Sequence, residues 1–285
     1  MIEWRRTRRV ALAFLAIVTF LTLAGATYQS VATALERRQF PYPGRLIDIG
    51  GHQLHVYCIG NGSPIVVLEA AAAGMSSGWG WVQRNVQSTT RVCSYDRSGL
   101  GWSETGETDY EPSRVPDELH RVLDSAGERG PFVIAGHELG AAFARMYAQR
   151  FRRETAALVL IDELADAPRV RSGIARVARA WPWLARVGVL RATRSLSRRA
   201  SGLPPESGGA VRAFLNRPDH LTRGAREIDR LRDAMALAAA DPIDPSLRVF
   251  RVATSRQEPP AILASSDQAR AVTRAIEEAI ARVRR

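Results

Sequence analysis

Hydrophobic and polar positions fall into blocks along this chain, and the first block is the sharpest. Residues 10–28 carry no charged side chain and directly follow Arg5, Arg6, Arg8 and Arg9. That run of 19 residues, at ~1.5 Å per residue in a helix, comes close to the ~30 Å of bilayer hydrocarbon. The basic cluster belongs on the cytoplasmic side, which sends the rest of the chain outward. A cleaved signal peptide is the competing reading, because Ala24-Gly25-Ala26 has the small residues of a cleavage site. Thr7-Arg8-Arg9 matches part of a twin-arginine signal, which Val10 and Ala11 then break. The run exceeds the ~7–15 residues of an ordinary signal core, which favours a retained anchor. Both readings export the remainder of the chain. Residues 29–43 read as a polar tether ending in Pro41-Tyr42-Pro43-Gly44.

Beyond the tether the pattern changes to short apolar runs separated by turn residues. Residues 45–49 and 53–58 are β-prone and joined at Gly50-Gly51, which predicts a hairpin. Residues 65–68 are continuously apolar, as in a strand buried on both faces. Further strands are predicted at 90–95, 132–135, 157–161, 247–253 and 261–264, with helical patterns between several of them. This alternation predicts an α/β domain with a mostly parallel eight-stranded sheet flanked by helices. From 163 to 240 the strand signal is replaced by helical, Arg-rich sequence. Residues 44–162 therefore form the first part of a core, 163–240 a helical lid, and 241–285 the last strands and a closing helix. In that helix, over 267–285, Ala271, Ile276, Ile280 and Val283 are the predicted inner face.

Composition narrows the classes. Apolar residues at 46% and charged residues at 24% exclude a disordered chain and a polytopic membrane protein. The net charge is +11, and every basic residue is Arg. No nucleic-acid-binding motif accompanies that charge, so no nucleic-acid partner is expected. Residues 167–205 hold nine arginines and no acid, interleaved with Trp181, Trp183, Leu184, Val187, Val189 and Leu190. The favoured reading is an ordinary lid helix with its tryptophans roofing a pocket. The other is an amphipathic surface resting on anionic lipid. The two cysteines lack zinc-site spacing, and neither a metal nor an organic cofactor is expected.

The residues 44–51, then Tyr95-Asp96-Arg97-Ser98-Gly99-Leu100-Gly101-Trp102-Ser103, and Gly136-His137-Glu138-Leu139-Gly140 resemble the α/β-hydrolase family. The subgroup resembled most is that of N-terminally anchored bacterial hydrolases, which implies a single-pass protein with its bulk outside the cytoplasm. In that fold a strand enters a helix through a turn so sharp that the central side chain stands above the sheet. Glycines two residues to either side relieve the crowding. Gly136 and Gly140 fit, but the centre is Glu138 where the family has its nucleophilic Ser. The resemblance implies an oxyanion hole from the backbone N–H of Leu139 and one from the 70–73 loop, represented by Ala71. It places the acid at Asp162 or Glu258. It also places the catalytic His before the last helix, where this chain has none: its histidines are His52, His55, His120, His137 and His220.

Two functions are compatible with this pattern. The preferred one is a pseudo-hydrolase, non-catalytic or weakly active, that binds an unidentified small molecule. The alternative is an ester, epoxide or haloalkane hydrolase using Glu138 as nucleophile or general base, with His220 swinging in from the lid. His137 reads as structural, its side chain pointing away from the pocket. His52 and His55 read as surface or packing residues, and His120 has no evident partner. The resemblance makes the strands of Cys58 and Cys93 antiparallel neighbours, leaving a disulfide or two buried thiols open.

Overall fold

The computed structural model describes residues 2–106, 109–163, 172–254 and 261–285. It begins with one helix, α1 (Ile2–Gln39), which is long and apolar enough to cross a membrane. Positions 4–24 are exposed. The expected tether is corrected here: residues 29–39 continue the helix instead of forming a loop. They are rich in Ala, Leu, Glu, Arg and Gln, which favour helix, and nothing breaks the backbone before Pro41. Their polarity reflects side chains that pair with the lid.

A sheet comes next, built from β1 (Arg45–Asp48), β2 (Gln53–Ile59), β3 (Ile65–Glu69), β4 (Val92–Tyr95), β5 (Phe132–His137), β6 (Thr155–Ile161) and β7 (Arg248–Val252). The strand order is β1-β2-β4-β3-β5-β6-β7, antiparallel between β1, β2 and β4 and parallel from β4 onward. Among the described residues the sheet has seven strands, one fewer than expected. The missing one is 261–264, whose apolar residues are buried as loop. Apolarity there reports packing, which a buried loop and a central strand share.

Because successive strand residues face opposite sides, the sheet has two cores. Val67, Ile134 and Leu158 face α3 (Val115–Ala126) and α4 (Leu139–Arg150), while Val66, Val133 and Val159 face α2 (Gly80–Val86) and α10 (Ser266–Val283). On α10 the inner face is Ala269, Val272, Thr273, Ile276, Ala279 and Ile280; of the expected set, Ala271 and Val283 are only half-buried. A third core joins the carboxyl ends of the strands to the lid helices α5 (Ser172–Arg186), α6 (Val189–Thr193), α7 (Pro205–Phe214), α8 (Pro218–Asp229) and α9 (Leu231–Ala240). Cys58 and Cys93 face each other across β2 and β4, and their sulfurs are bonded at 2.04 Å. Glu128 lies close to both sulfurs but is held by Arg91 at 2.7 Å.

Candidate active site

The turn from β5 into α4 is tight, and sequence dictates why. A Cβ on Gly136 would lie 2.3 Å from the Gly140 carbonyl oxygen, and one on Gly140 would lie 2.2 Å from that of Glu69. Only glycine fits either place. Between them Glu138 takes φ +49° and ψ −107°, a region that non-glycine residues enter at a cost of ~1–3 kcal/mol. Its N–H donates to the Ile161 carbonyl at 2.9 Å, and it is 4% exposed. Among the described residues, three of the four non-glycine residues with positive φ, Ala73, Glu138 and Asp162, lie at this site.

Of the residues expected to form an oxyanion hole, Leu139 opens α4 and Ala71 lies in the segment after β3, whose Glu69 and Ala70 carbonyl oxygens would be 2.2 and 2.7 Å from a Cβ on Gly140. That segment is fixed from below by Arg97, which is buried and donates through all of its N–H groups. Nε and Nη2 each reach a Glu227 oxygen at 2.8 Å, and Nη1 reaches Glu69 Oε1 at 2.5 Å. Nη1 and Nη2 also donate to the carbonyls of Ala70 and Ala71 at 2.8 and 2.9 Å. Glu227, on lid helix α8, in turn accepts the Ala73 N–H at 3.0 Å. Burial would raise the Glu227 carboxyl, but the Arg97 ion pair outweighs it and holds the group below the usual carboxylate range.

His137 departs from its structural reading. It shares a sheet face with Val133 and Ala135, its side chain borders the cavity above the turn, and Nε2 lies 3.5 Å from Asp162 Oδ2. Asp162 comes directly after β6, whose Ile161 is the register partner of His137. Burial would raise the Asp162 carboxyl; hydrogen bonds from His137 and from the Thr254 N–H at 2.6 Å hold it low instead. Glu258, the other expected acid, lies outside the described residues.

His220 also borders the cavity, yet both ring nitrogens are engaged. Nδ1 accepts the Gly101 N–H at 3.0 Å and Nε2 donates to the Ala73 carbonyl at 3.1 Å. Burial pushes its pKa down, and an Nδ1 that accepts an N–H carries no proton of its own. The cavity wall includes Ala261, Ile262 and Leu263, and Ser265 caps α10 by accepting the Asp267 N–H. The remaining cavity is about 20 Å³, room for about one water. A larger groove of about 480 Å³ lies between the end of α1 and α7, bordered by Phe40, Tyr57, Arg84, Trp102, Glu206 and Ser207.

The other histidines are structural. His55 is fully buried with Nδ1 3.0 Å from Asp96 Oδ2, the packing role of its two readings. His120 stacks on Phe151 at 4.1 Å and meets Glu154 at 3.1 Å. Of the interleaved tryptophans, Trp181 is buried in the lid core and Trp183 is 69% exposed, so neither roofs the cavity.

Residues 61–285 match the model of the alpha/beta hydrolase family. The chain belongs to that family. Among curated relatives of this alpha/beta hydrolase family member, the protein YbdG of Bacillus subtilis is 20% identical over 161 residues, 56% of this chain and 50% of YbdG. The chain spans half or less of the length of the curated relatives it matches. A thermophilic esterase from Thermogutta terrifontis superposes with TM-score 0.57 at 19% identity, covering 81% of this chain and 94% of the esterase. The epoxide hydrolase VrEH1 from Vigna radiata superposes with TM-score 0.56 at 17% identity, over 73% and 78% of the two chains. Likeness at these identities is likeness of fold.

Proposed function

We propose that this alpha/beta hydrolase family member is a membrane-anchored pseudo-hydrolase with a binding role. The observation that carries the reading is the cavity above the elbow, which holds about 20 Å³ and is bordered by residues 261–263, in a chain with no histidine after His220. Among the described residues bordering it, His220 is the histidine besides His137, and both of its nitrogens bond backbone groups. A Ser–His mechanism deprived of nucleophile and base keeps only binding and oxyanion effects. α1 supports the anchoring part. Tyr28 is exposed at one end of its apolar stretch, where aromatic anchors sit in a bilayer, and Arg5, Arg6, Arg8 and Arg9 flank the other end. The Arg5–Arg9 side then faces the cytoplasm and the domain faces outward.

The His137–Asp162 pair favours a second reading, in which it activates water against an ester formed on Glu138. Intact-protein mass spectrometry separates the two. The full chain, Glu138→Gln and Glu138→Ser are each incubated with a short p-nitrophenyl ester, an epoxide and a haloalkane while product is monitored. The pseudo-hydrolase predicts no adduct and no turnover from any of them; the serine variant stays inactive because no base serves it. An adduct or turnover that Glu138→Gln abolishes establishes the hydrolase.

A further inference from the structure

The helix α1 and the lid meet at one level. Positions 25, 26, 29, 32, 33 and 36 of α1 are partly or fully buried, whereas 10–24 are exposed. Docking starts at Gly25, where a Cβ would lie 2.2 Å from the Val187 carbonyl oxygen. Gly188 packs back against the same place, its own added Cβ falling 3.0 Å from the Gly25 carbonyl oxygen. One turn on, Gln29 donates to the Asn216 carbonyl at 2.7 Å and accepts from Arg191 Nε at 2.9 Å, and Arg191 pairs with Glu36. The turn between α5 and α6 is thus fixed against the last few residues of the apolar run.

What α5 presents beside that contact is apolar. Val177, Ala180, Leu184 and Val187 recur at three- and four-residue spacing, so they form one stripe. Val187 touches α1, and the other three are exposed, so the stripe is continuous with the bare face of α1. Trp183 stands beside it with the Arg186 guanidinium 4.9 Å from its ring centre, and Arg176 is exposed on the same side. Val189, also exposed, extends the surface past Gly188. An aromatic side chain, an apolar stripe and flanking arginines at the edge of a spanning segment are the chemistry of the lipid headgroup boundary.

We propose that this face of α5 and the start of α6 is a second membrane contact, which lays the lid on an anionic bilayer surface. The proposal rests on α1 being the anchor. The depth of the Gly25–Val187 contact then leaves Trp183 and Leu184 at the level of the headgroups. Arg176 and Arg186 face the lipid phosphates, and the apolar stripe reaches the upper acyl chains.

The test uses the full chain in vesicles of phosphatidylcholine with or without phosphatidylglycerol. The native cysteines are bonded to each other, so an introduced Cys is the free thiol. An environment-sensitive fluorophore is placed at Ala180→Cys, at Leu21→Cys in the anchor, and at Arg129→Cys. Arg129 is exposed at the amino end of β5, the edge of the sheet opposite the lid. The proposal expects blue-shifted emission at 180, quenched by spin-labelled lipid, with 21 quenched and 129 unaffected. Quenching at 180 weakens without phosphatidylglycerol and in the Arg176→Gln/Arg186→Gln variant. Quenching at 21 with none at 180 overturns the lid contact and leaves the anchor standing. No quenching at 21 overturns the anchor itself. Protection at 180 without quenching means that another copy of the chain covers the stripe, and the proposal fails. Quenching at 180 indifferent to both charge changes refutes its electrostatic part.

Discussion

Replacing Glu227 by Gln probes whether the lid holds the site or merely covers it. Both carboxylate oxygens accept from Arg97 at 2.8 Å, and one of them also accepts the Ala73 N–H. The glutamine keeps the shape but removes the charge and turns one acceptor into a donor, which must then face an N–H. Each lost charge-assisted hydrogen bond is worth ~1.5–3 kcal/mol. Breaking one partner of a buried ion pair costs ~3–5 kcal/mol in total, because a charge is left behind without its counter-ion. Arg97 keeps Glu69, so the lower half of that range is expected. At ~2–4 °C per kcal/mol for a domain of this size, the melting temperature falls by roughly 6–16 °C. Circular dichroism on detergent-solubilised protein reads that shift. Hydrogen exchange adds a local signal: the Ala73 amide, deprived of its acceptor, should exchange faster than in the parent. A variant that melts within about 1 °C of the parent, with Ala73 still protected, would refute the idea that this clamp ties the lid to the 70–73 loop.

The same geometry sets other outcomes. Gly25→Ala gains ~1 kcal/mol of helix propensity yet drives a Cβ into the Val187 carbonyl; trypsin should cut at Arg37 and Arg38 faster, and unchanged cleavage would sink the docking argument. His220 has its pKa lowered by burial, so the unfolded chain takes up the proton first. Stability then falls as pH drops below ~6.5, approaching ~1.4 kcal/mol per pH unit, and His220→Asn should lose that slope in pH-dependent melts. Serine at both Cys58 and Cys93 opens a link spanning 35 residues, for a loss of ~3–4 kcal/mol on the chain-entropy account. Urea midpoints measure it.

The elbow was legible in the sequence because its constraint is local: two glycines two residues from Glu138, a strand before and a helix after. That no histidine follows His220 is read directly from the chain. The His137–Asp162 pair was not legible, because the partners are far apart in sequence and meet only through the pairing of β5 with β6. Strand alternation does put His137 on the face of Val133 and Ala135, and that was the available signal. Glu227 reads as one more charge on an amphipathic helix until the fold sets it on Arg97. The polar stretch after residue 28 misleads because polarity there does not mean irregular backbone. Gln29 and Glu36 are polar because they bond the lid, and the backbone beneath them stays helical. Residues 261–264 were misleading in the opposite sense, being buried without being a strand.

An unbroken α1 also has a mechanical consequence. A domain hung on a flexible leash points in every direction and meets its ligands at any height its leash allows. With α1 as the anchor proposed above, a domain clamped to a helix that leaves the bilayer without a joint inherits that helix's tilt. The roll of the domain about the helix is set by Gly25, Gln29 and Glu36 acting as a key in a slot. The groove between α1 and α7 then opens at one fixed altitude and faces one compass direction. Encounters become a matter of what diffuses past in that shallow layer, and a partner in the same membrane meets it already aligned.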